Sequence, residues 1–290
     1  MPPSTVPPSQ ASHACPAIAV QAGAWPLPRL ITASVGVHVV ALGAALLVPG
    51  AWPWALGGVA LNHALITGMG LAPRSNWLGA NVTRLPAAAV ARREVALTID
   101  DGPDPLVTPQ VLDLLDAQGQ RATFFCIAER VAAHPALTRE IVARGHSIQN
   151  HTARHCHNFS FLGPRGYANE IAHAQRMLED ATGERPTCFR APAGLRNPFL
   201  APVLHRLGLA LVSWTRRGFD TRETDPAKVL ARLCDGLTPG DILLLHDGNA
   251  ARTAAGVPVI LDVLPPLLQR LSDAGLRAVT LPEALSPGVK

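Results

Sequence analysis

Two imidazoles four residues apart, His151 and His155, and two adjacent acids, Asp100 and Asp101, are the residues whose types and spacing best support chemistry. On a helical turn, side chains four apart share a face, so both rings can reach one divalent cation. Asp100-Asp101-Gly102-Pro103 directly follows an apolar run, residues 95–99, that reads as a strand. One carboxylate can complete a two-His, one-Asp site with open positions for water and substrate, leaving the other free as a base. This is the minimum equipment for metal-assisted hydrolysis at neutral pH. Paired-His spacing alone is weak, because an ordinary surface or core pair accounts for it about as often as a metal site does. The adjacent acids favour the metal reading, because they are costly to hold together at a strand end without a cation. His155 and His157 on one strand face are the alternative pair. Thr152 or Asn150 is placed to fix an imidazole in its ligating tautomer.

Three further segments carry polar residues at the ends of apolar runs. In Phe189-Arg190-Ala191-Pro192-Ala193-Gly194, Arg190 can hold Asp100 ionised and oriented, since a nearby cation lowers a carboxylate's pKa; taken alone it is a surface arginine. His246 closes the apolar run 242–245. It is either a core histidine with one hydrogen bond or, near neutrality, a proton donor to a leaving amine. Ser213-Trp214-Thr215-Arg216-Arg217-Gly218-Phe219-Asp220 offers Trp214 as an apolar wall and Asp220 as a partner for His246.

The elements that must position these groups follow from periodicity. Strands are expected at 94–99, 122–127, 146–149, 187–190, 210–214, 241–245 and 278–280. Helices are expected at 105–118, 131–144, 163–182, 197–207, 226–237 and 258–274. Such alternation predicts an α/β fold with a parallel sheet or barrel. Chemistry then gathers at the carboxyl ends of strands, where Asp100, Asp101, Arg190, Trp214 and His246 all fall.

The front of the chain is different. Residues 30–73 contain no Asp, Glu, Lys or Arg, in a chain of 290 residues with 16% charged residues. Residues 30–48 and 54–71 each approach the roughly 20 needed to cross a bilayer as a helix. A turn with Trp52 and Trp54 separates them, and Arg29 and Arg74 bracket the pair, so a transmembrane helical hairpin is expected. His38, Asn62 and His63 can pair across it. The arginines after the hairpin (Arg74, Arg84, Arg92, Arg93) place the catalytic domain on the cytoplasmic face of a bacterial-type inner membrane. The chain therefore divides into a disordered Pro-rich lead-in at 1–28, two transmembrane helices within 29–73, a linker at 74–92 and a catalytic domain at 93–290. A formal charge of +4 without a basic stripe argues against nucleic acid as a partner. No protein partner is inferable. Five widely spaced cysteines give no disulfide framework.

The segments 98–103, 151–155, 190–194, 214–220 and 245–246, with 122–125, His134-Pro135 and Gly145-His146 between them, occur in the order and spacing of a known family. Over residues 93–285 the chain resembles the polysaccharide deacetylases (NodB homology domain, carbohydrate esterase family 4-like). The resemblance implies a distorted (β/α) barrel and hydrolysis of an N-acetyl or related N-acyl group on an amino sugar. It implies Asp100 as base, with Asp101, His151 and His155 holding zinc, or cobalt, nickel or manganese. It further implies Arg190 orienting Asp100, His246 as general acid tuned by Asp220, and the Ala193 amide serving an oxyanion hole. The chain departs from the family at Thr221, where tryptophan is usual, and at Ala193, often tyrosine. Arg216 and Arg217 replace uncharged or acidic residues, which points to an anionic substrate such as a lipid-linked sugar on a phosphate carrier. The expected function is therefore removal of an N-acyl group from a membrane-associated glycan or lipid-linked sugar. The competing readings are an extracytoplasmic deacetylase of peptidoglycan or chitooligosaccharides, and a non-catalytic metal-dependent glycan-binding protein. A non-haem iron oxygenase also uses two His and a carboxylate, but the second acid and His246 fit hydrolysis better.

Overall fold

The computed structural model describes residues 25–286, so most of the expected lead-in, Cys15 included, lies outside the described residues. Eight parallel strands form the sheet: β1 (Glu94–Asp100), β2 (Thr123–Cys126), β3 (Ser147–Asn150), β4 (Cys188–Phe189), β5 (Ala210–Leu211), β6 (Arg216–Arg217), β7 (Ile242–His246) and β8 (Arg277–Val279). Their order is β5-β4-β3-β2-β1-β7-β6, with β8 also paired to β1. The register sets Asp100 beside Phe125 on one side and His246 on the other, so the two polar termini are level at the same sheet edge. β1 and β7 are buried on both faces, which explains their near-continuous apolar sequences.

The gap between β5 and β6 is closed by a segment expected to be a linker. Val82 donates to Leu211 O and accepts from Ser213 N, while Leu85 N bonds Gly240 O. Leu78, Leu85 and Ala89 are buried in the same region. This irregular closure makes the barrel a curled, distorted one. At the amino ends of the strands, buried Glu94 pairs with Arg92 and Arg277, and buried Asp241 pairs with Arg84 and Arg216. Each of these two buried anions thus has two arginine partners.

Helices α1 (Arg29–Leu47) and α2 (Trp52–Gly70) form the expected hairpin, with the turn at 48–51. The polar residues pair across it as anticipated. Asn62 Nδ2 donates to Ser34 Oγ at 2.8 Å, and His38 Nε2 lies 3.2 Å from His63 Nε2. Val40, Leu47, Trp54 and Leu61 point outward as largely exposed apolar side chains. Among the described residues α1 alone combines the length and mean hydropathy (2.1) of a bilayer span; α2 is diluted by Asn62 and His63.

Elsewhere the expected helix over 131–144 is two helices, Ala128–Ala133 and Pro135–Ala143. His134-Pro135 breaks it, because the residue before proline is driven out of the helical region. Among the described residues, Cys126, Cys156, Cys188 and Cys234 form no disulfide.

Candidate active site

β1 delivers its two acids differently. Thr98 and Asp100 share one face of the strand, whereas Asp101 has left the strand in a left-handed conformation (φ 74°). Among the described residues, five of the six non-glycine residues with positive φ — Asp101, Thr152, His155, Ala193 and Phe219 — sit in loops of this face or border it. Backbone strain of this kind persists where surrounding contacts over-determine it, which is typical of functional sites. Around Asp101 those contacts are explicit. Its carbonyl accepts from Arg130 Nη1 at 2.8 Å, and its Oδ2 accepts from Asn249 Nδ2 at 2.9 Å. A Cβ on Gly248 would sit 2.3 Å from the Asp101 carbonyl oxygen, so only glycine admits this approach.

His151 and His155 converge as expected, but not on a helix. They lie in the irregular loop after β3, and the left-handed turns at Thr152 and His155 bring the rings to 4.9 Å between centroids. Asn150 Oδ1 accepts from Thr152 N, and Thr152 Oγ1 accepts from His155 N, so these two residues build the loop rather than set a tautomer. The tautomer of His151 is set by Arg190, whose carbonyl oxygen takes the Nδ1 proton at 2.8 Å and leaves Nε2 free to ligate. His157 is exposed and plays no part in the cluster.

The His151 and His155 Nε2 atoms lie 3.2 and 3.3 Å from Asp101 Oδ1. That oxygen is buried and makes no hydrogen bond. One ligand atom from each residue falls within 4.8 Å of the others. A cation among them would satisfy all three at once, so the residues fit a divalent metal. The electrostatics agree. Burial alone would raise the Asp101 pKa, but the surrounding imidazoles hold it well below the ordinary carboxylate range. Burial, and then His151, push the His155 pKa down and favour the neutral ring that a metal requires.

Asp100 stands beside this triad, its Oδ2 3.9 Å from His151 Nε2. Its Oδ1 accepts from Arg190 Nη1 at 2.6 Å. Arg190 is almost wholly buried and saturated: it also donates to Thr98 Oγ1, Ser213 O and Val212 O, and its guanidinium lies 4.1 Å from the centre of the Phe125 ring. On the far side His246 Nδ1 bonds Asp220 Oδ1 at 2.9 Å, and Asp220 Oδ2 accepts from the His246 amide. Burial would lower the His246 pKa, but Asp220, with Asp100 and Asp101 behind it, raises it.

With this geometry in place the likenesses to known proteins can be weighed. The family model described as polysaccharide deacetylase matches residues 87–212. A peptidoglycan-N-acetylglucosamine deacetylase of Bacillus cereus is 35% identical over 193 residues, 66% of this chain and 87% of that protein. The chain belongs to the polysaccharide deacetylase family. It is a hydrolase of non-peptide carbon–nitrogen bonds, a sugar N-deacetylase. A chitooligosaccharide deacetylase of Sinorhizobium fredii is 32% identical, covering 69% of this chain and 95% of its own. A solved family 4 carbohydrate esterase from Streptomyces lividans superposes with a TM-score of 0.60 at 30% identity, covering 67% of this deacetylase and 98% of the esterase.

The expected substrate residues divide. Trp214 is buried and walls the site, touching Gly194 through its ring edge and Arg217 through its face (5.2 Å). Ala193 is exposed at the tip of a short 3-10 turn, Pro192–Gly194, that follows β4. Arg217 lies between the Trp214 and Phe219 rings, within range of the Asp100, Asp220 and Asp101 charges. Arg216 does not belong to the site. Alternation along β6 turns it to the other face of the sheet from Arg217, where its Nε bonds Asp241 Oδ2 at 2.5 Å and its Nη atoms bond the Asp235 and Gly236 carbonyls. Thr98, Arg130 and Asn249 were missed by sequence reasoning. Only Thr98 carried a signal, two residues before Asp100 on the same strand face.

Proposed function

We propose that this deacetylase is membrane-anchored, uses zinc, and removes an N-acetyl or other N-acyl group from an amino sugar in a membrane-associated glycan or lipid-linked sugar. One observation carries the catalytic reading: Asp100 is fixed by Arg190 beside the Asp101–His151–His155 triad without needing to be a ligand. A base thus stands next to a Lewis-acid site.

A metal held by Asp101, His151 and His155 would polarise the acyl carbonyl and acidify water at neutral pH. Asp100 takes a proton from the attacking water, and Arg190 keeps it oriented for that task. The Ala193 amide is the donor proposed for the developing oxyanion. His246, charged through its pairing with Asp220, gives its proton to the amine as the carbon–nitrogen bond breaks. The products are a free amino sugar and a carboxylate.

The membrane reading is supported by the exposed apolar faces of α1 and α2 and by their lack of charge. The arginines after the hairpin favour a cytoplasmic catalytic domain. The relatives named for peptidoglycan favour the opposite side and a cell-wall substrate. Protease accessibility of the catalytic domain in intact cells separates the two. Release of acetate is then measured from three substrates: a lipid-linked N-acetylglucosamine, peptidoglycan fragments and chitooligosaccharides. Turnover of the lipid-linked sugar at least about tenfold better than the others is the expected result; preference for peptidoglycan fragments would replace this reading with the cell-wall one.

A further inference from the structure

The loop that carries Ala193 runs directly into an apolar surface that the deacetylase fold leaves uncovered. Six residues after Ala193, Phe199 is 49% exposed. Asn197 Nδ2 donates to the Ser160 and Leu162 carbonyls, at 2.9 Å each, and so clamps the turn whose tip is Phe161, 87% exposed. On the other flank, a Cβ on Gly79 would fall 2.6 Å from the Ala201 Cβ. That close approach sets the segment bearing Trp77, 59% exposed, against the helix Leu200–Leu207. The patch then continues into the hairpin. Arg196 N donates to Gly70 O at 3.2 Å, the Arg196 guanidinium reaches Ser75 O, and Leu71, just past α2, is 60% exposed. The same junction braces the site: Ser213 Oγ donates to Pro73 O at 2.7 Å, and Pro73 packs on Gly194.

We propose that Leu71, Trp77, Phe161 and Phe199 form a second membrane contact, by which the catalytic domain lies on the bilayer surface with its Ala193 loop at headgroup level. The occupant is a lipid surface because the patch is continuous with the end of α2, and because aromatic side chains at a helix exit are suited to the interface. Residues this apolar and this exposed in one neighbourhood mark an interaction surface. Substrate then reaches the site laterally, as an amino sugar standing in the headgroup layer, rather than from bulk water. The inference rests on the hairpin being in the bilayer, as proposed above.

The test uses the full chain in phosphatidylethanolamine–phosphatidylglycerol vesicles, with p-benzoylphenylalanine replacing Phe161, Phe199 or, as a control on α1, Val40. Irradiation is expected to give lipid adducts at all three positions by mass spectrometry. Adducts at Val40 but not at Phe161 and Phe199, or adducts there only to protein, overturn the surface contact and leave the hairpin reading intact. No adduct at Val40 overturns the hairpin reading itself. In parallel, the double variant Phe161→Ser/Phe199→Ser is expected to lose about tenfold in kcat/KM on a vesicle-embedded N-acetylglucosaminyl lipid while keeping its rate on soluble chitooligosaccharide. Equal rates on the embedded lipid for variant and parent would refute lateral presentation.

Discussion

Arg190 grips Asp100 through a 2.6 Å bond between two buried side chains, and its carbonyl simultaneously orients His151. One residue just after β4 thus aligns both the proposed base and a proposed metal ligand. Asp100→Asn should abolish turnover while metal content stays that of the parent, measured by elemental analysis after dialysis. Arg190→Lys should lower kcat roughly 10²-fold with little change in KM, because an ammonium cannot also reach Thr98, Ser213 and Val212. Full activity in Asp100→Asn would end the base assignment.

His246 owes its charge to Asp220. Since its folded pKa is raised above the ordinary 6.5, the ring keeps its proton to higher pH than a free imidazole and loses it as pH climbs past the raised value. Activity that depends on a charged His246 should therefore decline as pH rises, at a higher pH than an unshifted imidazole would give. Asp220→Asn removes the main cause of the shift, so the descending limb of the kcat profile should move to lower pH. A limb that stays in place would show that another group supplies the proton.

Arg217 and Arg216 are neighbours in sequence with separate fates. Arg217 Nε is buried without a hydrogen-bond partner, and its guanidinium faces the carboxylates from between two rings. Arg217→Gln should cost about tenfold in kcat/KM on a phosphate-bearing amino sugar and within about twofold on neutral chitooligosaccharide. Arg216→Gln should leave that ratio alone and instead lower stability by roughly 1–3 kcal/mol, since Asp241 loses one of its two arginine partners. Identical substrate ratios in both variants would remove the anion-binding role of Arg217.

Much of this was legible in the sequence for a physical reason. Buried parallel strands are continuous apolar runs, and a polar residue ending such a run can only face the loop edge; hence Asp100, Arg190 and His246 were readable one by one. What escaped depends on loops. The helical spacing of His151 and His155 suggested the right pair for the wrong reason, because the loop after β3 achieves convergence with left-handed turns that non-glycine residues do not advertise. Arg216 and Arg217 share a charge, and the two-residue strand β6 that separates them is too short to announce its alternation. Arg130 and Asn249 act on Asp101 from 29 and 148 residues away, which no local pattern encodes. The residues 74–92 looked like a tether because their apolar residues are scattered, yet they close the barrel.

Asp247, next to His246, is buried with its Oδ1 unpartnered and its Oδ2 accepting from Thr108 Oγ1 at 2.5 Å. Burial above all pushes its pKa up to about 7, and the Asp101 charge adds to the shift. Between the ordinary carboxylate range and about 7, the folded chain keeps a proton that the unfolded chain has released. Stability must therefore fall as pH rises across that window and level off above it. Asp247→Asn keeps the size of the side chain and removes the charge. The variant should exceed the parent in stability by about 1–3 kcal/mol at pH 8, with the gap closing towards pH 4. Denaturant unfolding of the detergent-solubilised full chain at both pH values measures this. A gap of the same size at both would mean that the Asp247 carboxyl is already ionised, or already neutral, throughout, and that the acid end of the barrel holds its charges by another route.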